Sequence, residues 1–366
     1  MSLPAPTIAE RFAPRANALN AVRLGLALLV IVWHAFPLSG EDVAWAPGRQ
    51  LLGQIAVDGF FAISGFLILG SWVRDPRWHA FLAARALRIF PAFWVCLLVT
   101  ALVVAPVATM LVTGAGYASA LSGESIGYVL RNAGLRIFQD DIAGTPLGVP
   151  FAGVWNGSLW TLWWEFLCYL GVLGLGLTRL LRVRWLLLAV FAACLVAVVA
   201  TSYGPVENWY VVTGARFGIM FTAGALLHRY AHRIPLTWPL VALAGAATVA
   251  TMWLPDYRVL GALPLAYAVF GLGALLTHPR LRLRDDLSYG TYIYAFPVQQ
   301  LLASAGAIAW GIPAYIAASI AGTLVLAAAS WFFVERRALR LKPRRPGPTP
   351  APAGAPDGTA AAAVGP

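Results

Sequence analysis

Apolar segments long enough to cross a membrane recur along all 366 residues, and they limit the fold more than any other feature. A helix of about 20 apolar residues spans the hydrocarbon core of a bilayer. Only 11% of the residues are charged and the mean hydropathy is +0.74, whereas soluble domains carry about 25% charged residues. We therefore predict an all-α integral membrane protein, a bundle of about ten transmembrane helices, at 19–38, 51–72, 89–110, 156–178, 185–202, 211–228, 236–254, 259–277, 288–308 and 313–334.

The net charge of +11 is divided unequally between alternate loops. If the amino terminus lies in the cytoplasm, 20 of the 26 basic residues lie on that side and four on the other. This bias follows the positive-inside rule and predicts an even number of spans with both termini cytoplasmic. A lipid bilayer therefore explains the charge, and nucleic acid is not predicted as a partner.

The sequence divides into a cytoplasmic amino-terminal segment (1–18), a membrane domain (19–345) and a Pro/Ala/Gly-rich tail (346–366) that is predicted to be disordered. The first apolar segment is longer than a signal-peptide core and no small-residue cleavage site follows it, so we expect a retained helix. Residues 111–155 form the main loop outside the spans, and 125–138 has the apolar spacing of an interfacial helix. The three cysteines lack metal-ligand spacing, and no metal site is predicted.

Arg23 and His34 are separated by ten apolar residues in the first span. Eleven positions make about three helical turns, which puts both side chains on one face roughly 16 Å apart. Ionisable groups inside a membrane are costly and are often functional. The alternative is that Arg23 reaches the headgroups and His34 caps the opposite end of the helix.

Two carboxylates are predicted near the depth of His34. Asp58 lies in the block VDGFFAISGFLI of span two, and Glu165 follows the tryptophans of GSLWTLWWEFLCYL in span four. Their positions place them about 10 Å and 14 Å below the outer edge of the membrane. A histidine with two carboxylates suits general acid–base catalysis. The alternative is structural: Asp58 caps its helix, and Glu165 bonds backbone or indole groups.

An anion site is predicted near the opposite, cytoplasmic face. Arg85 and Arg88 are three residues apart and share one helix face, and Arg23 lies at a similar depth. Two guanidinium groups in this arrangement suit a phosphate. Tyr292 and Tyr294 lie in a polar, aromatic stretch of span nine, and we expect them to line a channel from this site.

These motifs, in this order and on a ten-span frame, resemble the acyltransferase-3 family of membrane-bound O-acyltransferases, which modify bacterial surface sugars and some antibiotics. The resemblance covers nearly the whole chain. It implies a bacterial cytoplasmic membrane protein that binds acyl-coenzyme A from the cytoplasm and modifies an acceptor hydroxyl on the outer side. It also implies that His34 is catalytic and that Arg85 and Arg88 contribute to donor handling.

We accordingly expect transfer of an acyl group, most simply acetyl, from acyl-coenzyme A to a sugar hydroxyl of a polysaccharide, lipid-linked glycan or glycosylated metabolite. His34 acts as general base or as a covalent acyl relay, and Glu165 or Asp58 orients it. A separate extracytoplasmic partner that receives the acyl group stays open. Aromatic residues could hold the sugar ring or form the interfacial belt, namely Trp160, Trp163 and Tyr169.

One position departs from the family pattern. Many members have a histidine in a Tyr-x-x-His-x-Pro motif of span nine, where this chain has Ala295 two residues before Pro297. We interpret this as subfamily variation, which leaves the role of span nine open. Two functions of other classes compete with the enzyme: a transporter of a glycan intermediate, for which no internal repeat is visible, and a membrane scaffold, which would tolerate alanine at His34 and Glu165.

Overall fold

The computed structural model describes residues 5–14 and 16–343, and this part of the chain is helical with no β-strand. The predicted tail, 346–366, lies outside the described residues. Ten main helices follow one another: α1 (Leu19–Leu38), α2 (Ile55–Arg74), α3 (Trp78–Thr113), α4 (Thr161–Leu177), α5 (Leu186–Tyr203), α6 (Trp209–Arg229), α7 (Trp238–Trp253), α8 (Arg258–Leu275), α9 (Ser288–Ser304) and α10 (Ile312–Arg340).

Within the described residues, seven of these helices are long and apolar enough to cross a membrane: α1, α2, α3, α5, α6, α8 and α10. α4 and α7 are apolar but shorter. α9 has 17 residues, and its serine, threonine, tyrosine and glutamine side chains reduce its hydropathy. Each predicted segment overlaps one helix, but the predicted count of about ten spans is not confirmed.

α2 and α6 form the centre of the bundle because glycines let their backbones meet. A Cβ at Gly65 would lie 1.9 Å from the carbonyl oxygen of Phe221, and one at Gly224 would lie 1.8 Å from that of Ala62. Only glycine fits at such a contact, as in small-residue packing between membrane helices. Gly59 allows a similar approach of Leu26 from α1. The prediction that the glycines of span two permit close helix packing is confirmed.

α9 is buried between α1 and α10, which explains its polar composition. Gln299 donates from Nε2 to the carbonyl oxygen of Ile31 in α1 at 3.0 Å. Tyr315 of α10 donates from its hydroxyl to the carbonyl oxygen of Gln299 at 2.8 Å. Polar side chains in an apolar bundle are retained when they bond neighbouring helices.

A short helix, Glu124–Asn132, lies in the long loop between α3 and α4. Its Ser125 and Tyr128 are buried, whereas Ile126 and Leu130 are 65% and 69% exposed. A helix with one apolar exposed face is suited to the membrane interface. The structure thus contains a helix within the predicted interfacial segment, 125–138, although the helix ends at Asn132.

Candidate active site

His34 lies one turn from the end of α1, and its ring has a defined tautomer. Nδ1 is 3.0 Å from the carbonyl oxygen of Val30. A carbonyl oxygen only accepts hydrogen bonds, so Nδ1 carries the proton and Nε2 is the basic nitrogen. Nε2 makes no hydrogen bond with the described residues. When the imidazole is neutral, the local helix therefore holds it in the tautomer whose Nε2 can accept a proton.

His34 lies in the wall of a cavity of about 830 Å³, which we call the histidine cavity. The cavity is bounded by the end of α1, the helix Ala46–Gly53, the start of α2 and the segment before α4. Its wall includes His34, Trp33, Arg49, Gln54, Ser158, Trp160, Arg216, Trp253 and Tyr292. It is large enough for a small ligand and combines aromatic surfaces with a few polar groups.

Pro297 determines how the segment before α4 reaches this cavity. Proline has no N–H, so the carbonyl oxygen of Ile293, four residues earlier, lacks its helical donor. Asn156 donates to that oxygen from Nδ2 at 2.8 Å. Gly157 then faces the Phe296 ring, where an added Cβ would lie 2.8 Å from Cε2. The Phe296 ring packs edge-on against the imidazole of His34, with centroids 5.2 Å apart.

Asp58 is fully buried and lies behind the wall of the histidine cavity. Its carboxylate accepts from Arg216 Nε at 3.2 Å, Arg258 Nε at 2.8 Å and the hydroxyl of Tyr257 at 2.6 Å. Arg258 is shared with Asp256, at 2.9 Å. Buried charges are tolerated when they are paired in this way. No hydrogen bond joins Asp58 to His34, so the structure places Asp58 in an arginine cluster.

Glu165 lies one turn deeper along α4 than Thr161. Its carboxylate accepts from the hydroxyl of Ser64 at 2.8 Å and, in a short bond, from that of Tyr169. Glu165 and Arg23 line a small second cavity, about 30 Å³, which we call the middle cavity. The structure joins Glu165 to Ser64 and Tyr169, and the described residues contain no hydrogen bond between Glu165 and His34.

Tyr292 and Thr161 separate the middle cavity from the histidine cavity, and both line each of them. Their side-chain oxygens are 2.5 Å apart, and the Tyr292 hydroxyl also lies 2.9 Å from the carbonyl oxygen of Ser158. Two hydroxyl groups joined by one hydrogen bond therefore form the partition between the cavities.

Arg23 and Arg88 converge on one carboxylate, that of Asp286, in the loop before α9. Arg88 lies 2.5 Å from Asp286 and also pairs with Glu335 at 3.3 Å. Burial opposes ionisation of Asp286, but the two guanidinium groups hold its pKa below the ordinary value. The Asp286 carboxylate also accepts hydrogen bonds from the hydroxyl and the backbone N–H of Ser288.

Arg85 has a different environment from Arg88. It lines a third cavity of about 510 Å³, the basic cavity, at the opposite end of α2 from His34. Its Nη2 lies 3.3 Å from the hydroxyl of Ser71, and its buried Nε has no hydrogen-bond partner among the described residues. Lys342 and Arg74 line the same cavity. Lys342 is an exposed residue, but partial desolvation and the nearby guanidinium groups of Arg85 and Arg88 lower its pKa to about 8.

The three cavities follow one another along the bundle. Val57 lines both the histidine and middle cavities, and Ser71 lines the basic cavity. These two residues are 14 positions apart in α2, which corresponds to roughly 21 Å along the helix. A basic mouth, a narrow middle and a histidine-lined cavity therefore lie in line through the bundle.

The structure distributes the predicted site residues over these cavities unequally. Trp160 lines the histidine cavity. Trp163 packs against the hydrophobic core and Tyr294 is buried; neither lines one of the three cavities, and nor does Arg88. Among the described residues, no group of three His, Cys, Asp or Glu side chains could hold a metal ion.

Several site residues were not singled out from the sequence: Arg216, Tyr257, Arg258, Asp286, Glu335 and Lys342. Arg216 had a usable signal, because it is an ionisable residue within a predicted span. The sequence signal for Asp286 was weaker: an aspartate two residues before the start of a helix often accepts hydrogen bonds from the first backbone N–H groups. Lys342 follows the last span within a run of arginines, so nothing in its local sequence distinguishes it.

Comparison with known proteins gives consistent results along nearly the whole chain. The family model described as "Acyltransferase domain" matches residues 16–332. An "O-acetyl transferase" of Shigella phage Sf6 is 29% identical over 353 residues, covering 89% of this chain and 96% of the relative. "Nodulation protein 10" of Rhizobium leguminosarum bv. viciae is 30% identical over 364 residues, covering 89% and 94%. No solved structure matches the chain.

Proposed function

The chain belongs to this acyltransferase family and is an O-acyltransferase, and from that premise we propose that it transfers an acetyl group from acetyl-coenzyme A to a sugar hydroxyl. The observation that carries the proposal is the alignment of the three cavities, with the basic cavity at one end and Nε2 of His34 at the other. Acetyl-coenzyme A has the matching polarity, with phosphates at one end and the thioester at the end of a long arm.

The basic cavity is the proposed binding site for the phosphates. The buried Nε of Arg85 has no hydrogen-bond partner in the part of the chain that the structure describes, and an anion would supply one. Lys342 and Arg74 add positive charge, while the nearby carboxylate of Asp75 is bonded by Arg77 at 2.8 Å. Arg23 faces the middle cavity. We propose that Arg23 and Arg88 act there through their shared carboxylate, Asp286, which fixes the channel wall.

The pantetheine arm is proposed to pass Glu165 and the partition formed by Thr161 and Tyr292. The middle cavity is too small for the arm, so the hydrogen bond between these two hydroxyl groups has to open. Hydroxyl groups can rebond to the amides of the arm at little cost, since one hydrogen bond replaces another. The carbonyl carbon of the thioester would then enter the histidine cavity.

The proposed chemistry needs one proton acceptor and one donor. Nε2 of His34 takes the proton of the acceptor hydroxyl while the hydroxyl oxygen attacks the carbonyl carbon of the thioester. The tetrahedral intermediate breaks its carbon–sulfur bond, and the imidazolium returns the proton to the leaving thiolate. The products are the acetyl ester and coenzyme A. The bond from Nδ1 to Val30 fixes the tautomer that this step requires.

The distribution of basic residues supports the orientation of this path. The basic cavity lies at the end of α2 that carries Arg74. We propose that this end faces the bacterial cytoplasm, where acetyl-coenzyme A is found, and that the histidine cavity opens outward. The acceptor would then be a glycan or glycosylated molecule on the outer side.

The proposal is tested by acetyl transfer in nanodiscs with radiolabelled acetyl-coenzyme A and a panel of sugar acceptors. We expect His34→Ala to abolish transfer and to bind coenzyme A as the wild type does. Arg85→Gln should weaken coenzyme A binding and raise KM for the donor. Normal transfer by His34→Ala would overturn the role of His34, and unchanged donor affinity in Arg85→Gln would remove the phosphates from the basic cavity.

A further inference from the structure

The wall of the histidine cavity carries positive charge. Of the charged residues that the structure describes, two arginines line it, Arg49 and Arg216, and no aspartate or glutamate does. Arg49 is about half exposed and has a loose ion pair with the exposed Asp42, at 3.7 Å. Cavities lined by one sign of charge within low-dielectric walls concentrate ligands of the opposite sign.

Arg216 presents one edge of its guanidinium group to this cavity. It is the eighth residue of α6, well inside a membrane-spanning helix, yet its side chain is 22% exposed. Nε bonds Asp58, but Nη1 and Nη2 make no hydrogen bond with the described residues. Because Arg216 also lines the cavity, its unbonded nitrogens are available to a ligand there.

Asp58 holds Arg216 in place without covering this edge. The same carboxylate is occupied by Tyr257 and by both Nε and Nη2 of Arg258. Since these partners lie behind the cavity wall, Asp58 cannot turn to bond the outer nitrogens of Arg216 without breaking several buried bonds. Two adjacent guanidinium N–H groups fit the two oxygens of a carboxylate or phosphate.

We propose that the acceptor carries an anionic group, a carboxylate or a phosphate, which Arg216 binds in the histidine cavity. The inference rests on the proposed function in one respect, that the acceptor occupies this cavity. The donor phosphates are assigned to the basic cavity, roughly 21 Å away along α2. Trp160, which also lines this cavity, would contact the sugar ring of such an acceptor.

Alkylation of His34 tests the charge preference of the cavity without an identified acceptor. Bromoacetate is an anion and bromoacetamide is its neutral counterpart, and both alkylate a neutral imidazole. The purified protein in nanodiscs is treated with each reagent, and modification of His34 is followed by peptide mass spectrometry. Relative to the ratio measured with N-acetylhistidine, bromoacetate should be favoured by about tenfold or more.

Substitutions connect the preference to Arg216. Arg216→Gln should reduce the ratio to that of N-acetylhistidine, and Arg216→Lys should retain part of the preference. The bromoacetamide rate reports whether the cavity is still folded in each variant. Arg136→Gln is the matched control, since this cation bonds Tyr210 at the start of α6 and does not line the cavity. It should keep the wild-type ratio.

Protection by small ligands distinguishes the source of the anion. Methyl glucuronide presents a carboxylate and glucose 1-phosphate a phosphate, whereas methyl glucoside is neutral. At least one of the two anions should slow alkylation of wild-type His34 more than methyl glucoside does, and the stronger one identifies the group. This advantage should be lost in Arg216→Gln.

Three results would overturn the inference: no preference for bromoacetate, no modification of His34 by either reagent, or equal protection by the neutral and anionic sugars. Strong protection by adenosine 3′,5′-bisphosphate, beyond that of inorganic phosphate, would instead place the donor in this cavity and contradict the proposed donor path. Because alkylation needs no turnover, a failure of acetyl transfer and a failure of anion binding are read separately.

Discussion

Asn156 donates a hydrogen bond of 2.8 Å to the carbonyl oxygen of Ile293, the acceptor that Pro297 leaves without a helical donor. Its Oδ1 in turn accepts from the hydroxyl of Ser158 at 2.9 Å. The Asn156 side chain therefore supplies the donor that α9 lacks at Ile293 and fixes the segment that lines the histidine cavity before α4. Two sequence motifs that are about 140 residues apart are joined at this bond.

Asn156→Ala should destabilise the protein by about 1 kcal/mol, because the buried carbonyl oxygen of Ile293 then keeps only a weak donor, the thiol of Cys96 at 3.3 Å. Thermal unfolding in detergent measures the change. In a Pro297→Ala background the new backbone N–H can bond Ile293, so the same substitution should cost less. A double-mutant cycle with no coupling would contradict this account of the contact.

Local pattern was sufficient to locate α1 and to single out His34 within it. The predicted span, 19–38, agrees with Leu19–Leu38, because a predominantly apolar segment leaves the backbone only helical hydrogen bonding in a membrane. His34 was singled out because an ionisable group is costly in a membrane, and the structure places it in the wall of the histidine cavity. Its role as a base is still a proposal.

The partners of the charged residues could not be predicted from the sequence. Arg216 and Asp58 are 158 positions apart, and Arg23 and Asp286 are 263 apart. Such pairs depend on which helices are neighbours, and amphipathic periodicity does not specify this. The predicted group of Arg23, Arg85 and Arg88 was therefore divided by the fold, with Asp286 holding two of its members and Arg85 lining the basic cavity.

Gly157→Ala should impair catalysis more than stability. Its Cβ would come within 2.8 Å of the Phe296 ring, which has to move, and that ring packs against His34. A small displacement of a catalytic group can reduce turnover substantially, and we expect kcat for acetyl transfer to fall about tenfold or more.

Gly174→Ala is the matched control for that substitution. Gly174 lies in α4, and an added Cβ would meet nothing within 4 Å. Alanine should leave kcat unchanged and can stabilise the helix by up to about 1 kcal/mol. Equal loss of activity in Gly157→Ala and Gly174→Ala would show that the Phe296 contact is not the cause.

Asp286→Asn should be strongly destabilising, by about 3 kcal/mol or more, because Arg23 and Arg88 lose their common counter-ion. Asp285→Asn is the control. Asp285 accepts one hydrogen bond from Trp331 Nε1, at 2.7 Å, and the oxygen of an asparagine can still accept it. In thermal unfolding, the melting temperature should fall much more in Asp286→Asn than in Asp285→Asn. Equal decreases would show that the ion pairs of Asp286 with Arg23 and Arg88 are not the cause.

The same carboxylate predicts how stability varies with pH. Two guanidinium groups hold the pKa of Asp286 below its ordinary value, so its contribution is complete above the ordinary aspartate range. The contribution is lost as the pH falls through the lower pKa of the folded protein. Relative to Asp286→Asn, the wild type should therefore keep a constant stability advantage near neutrality and lose it only in strong acid. An advantage that varied around neutral pH would point to another group.

Lys342 should make donor binding depend on pH in the alkaline direction. Its pKa is lowered to about 8, chiefly by partial desolvation and then by Arg85 and Arg88, so the ammonium group loses its proton as the pH rises through about 8. If the phosphates of coenzyme A bind in the basic cavity, their affinity should decrease over that range.

Two variants isolate this group, and titration of coenzyme A into nanodiscs on either side of pH 8 is the measurement. Lys342→Arg keeps its charge and should flatten the pH dependence, since a guanidinium group stays protonated. Lys342→Gln should bind more weakly at the lower pH and show little change on raising it. If wild type and Lys342→Arg lose affinity in parallel, a different group titrates and Lys342 does not contact the donor.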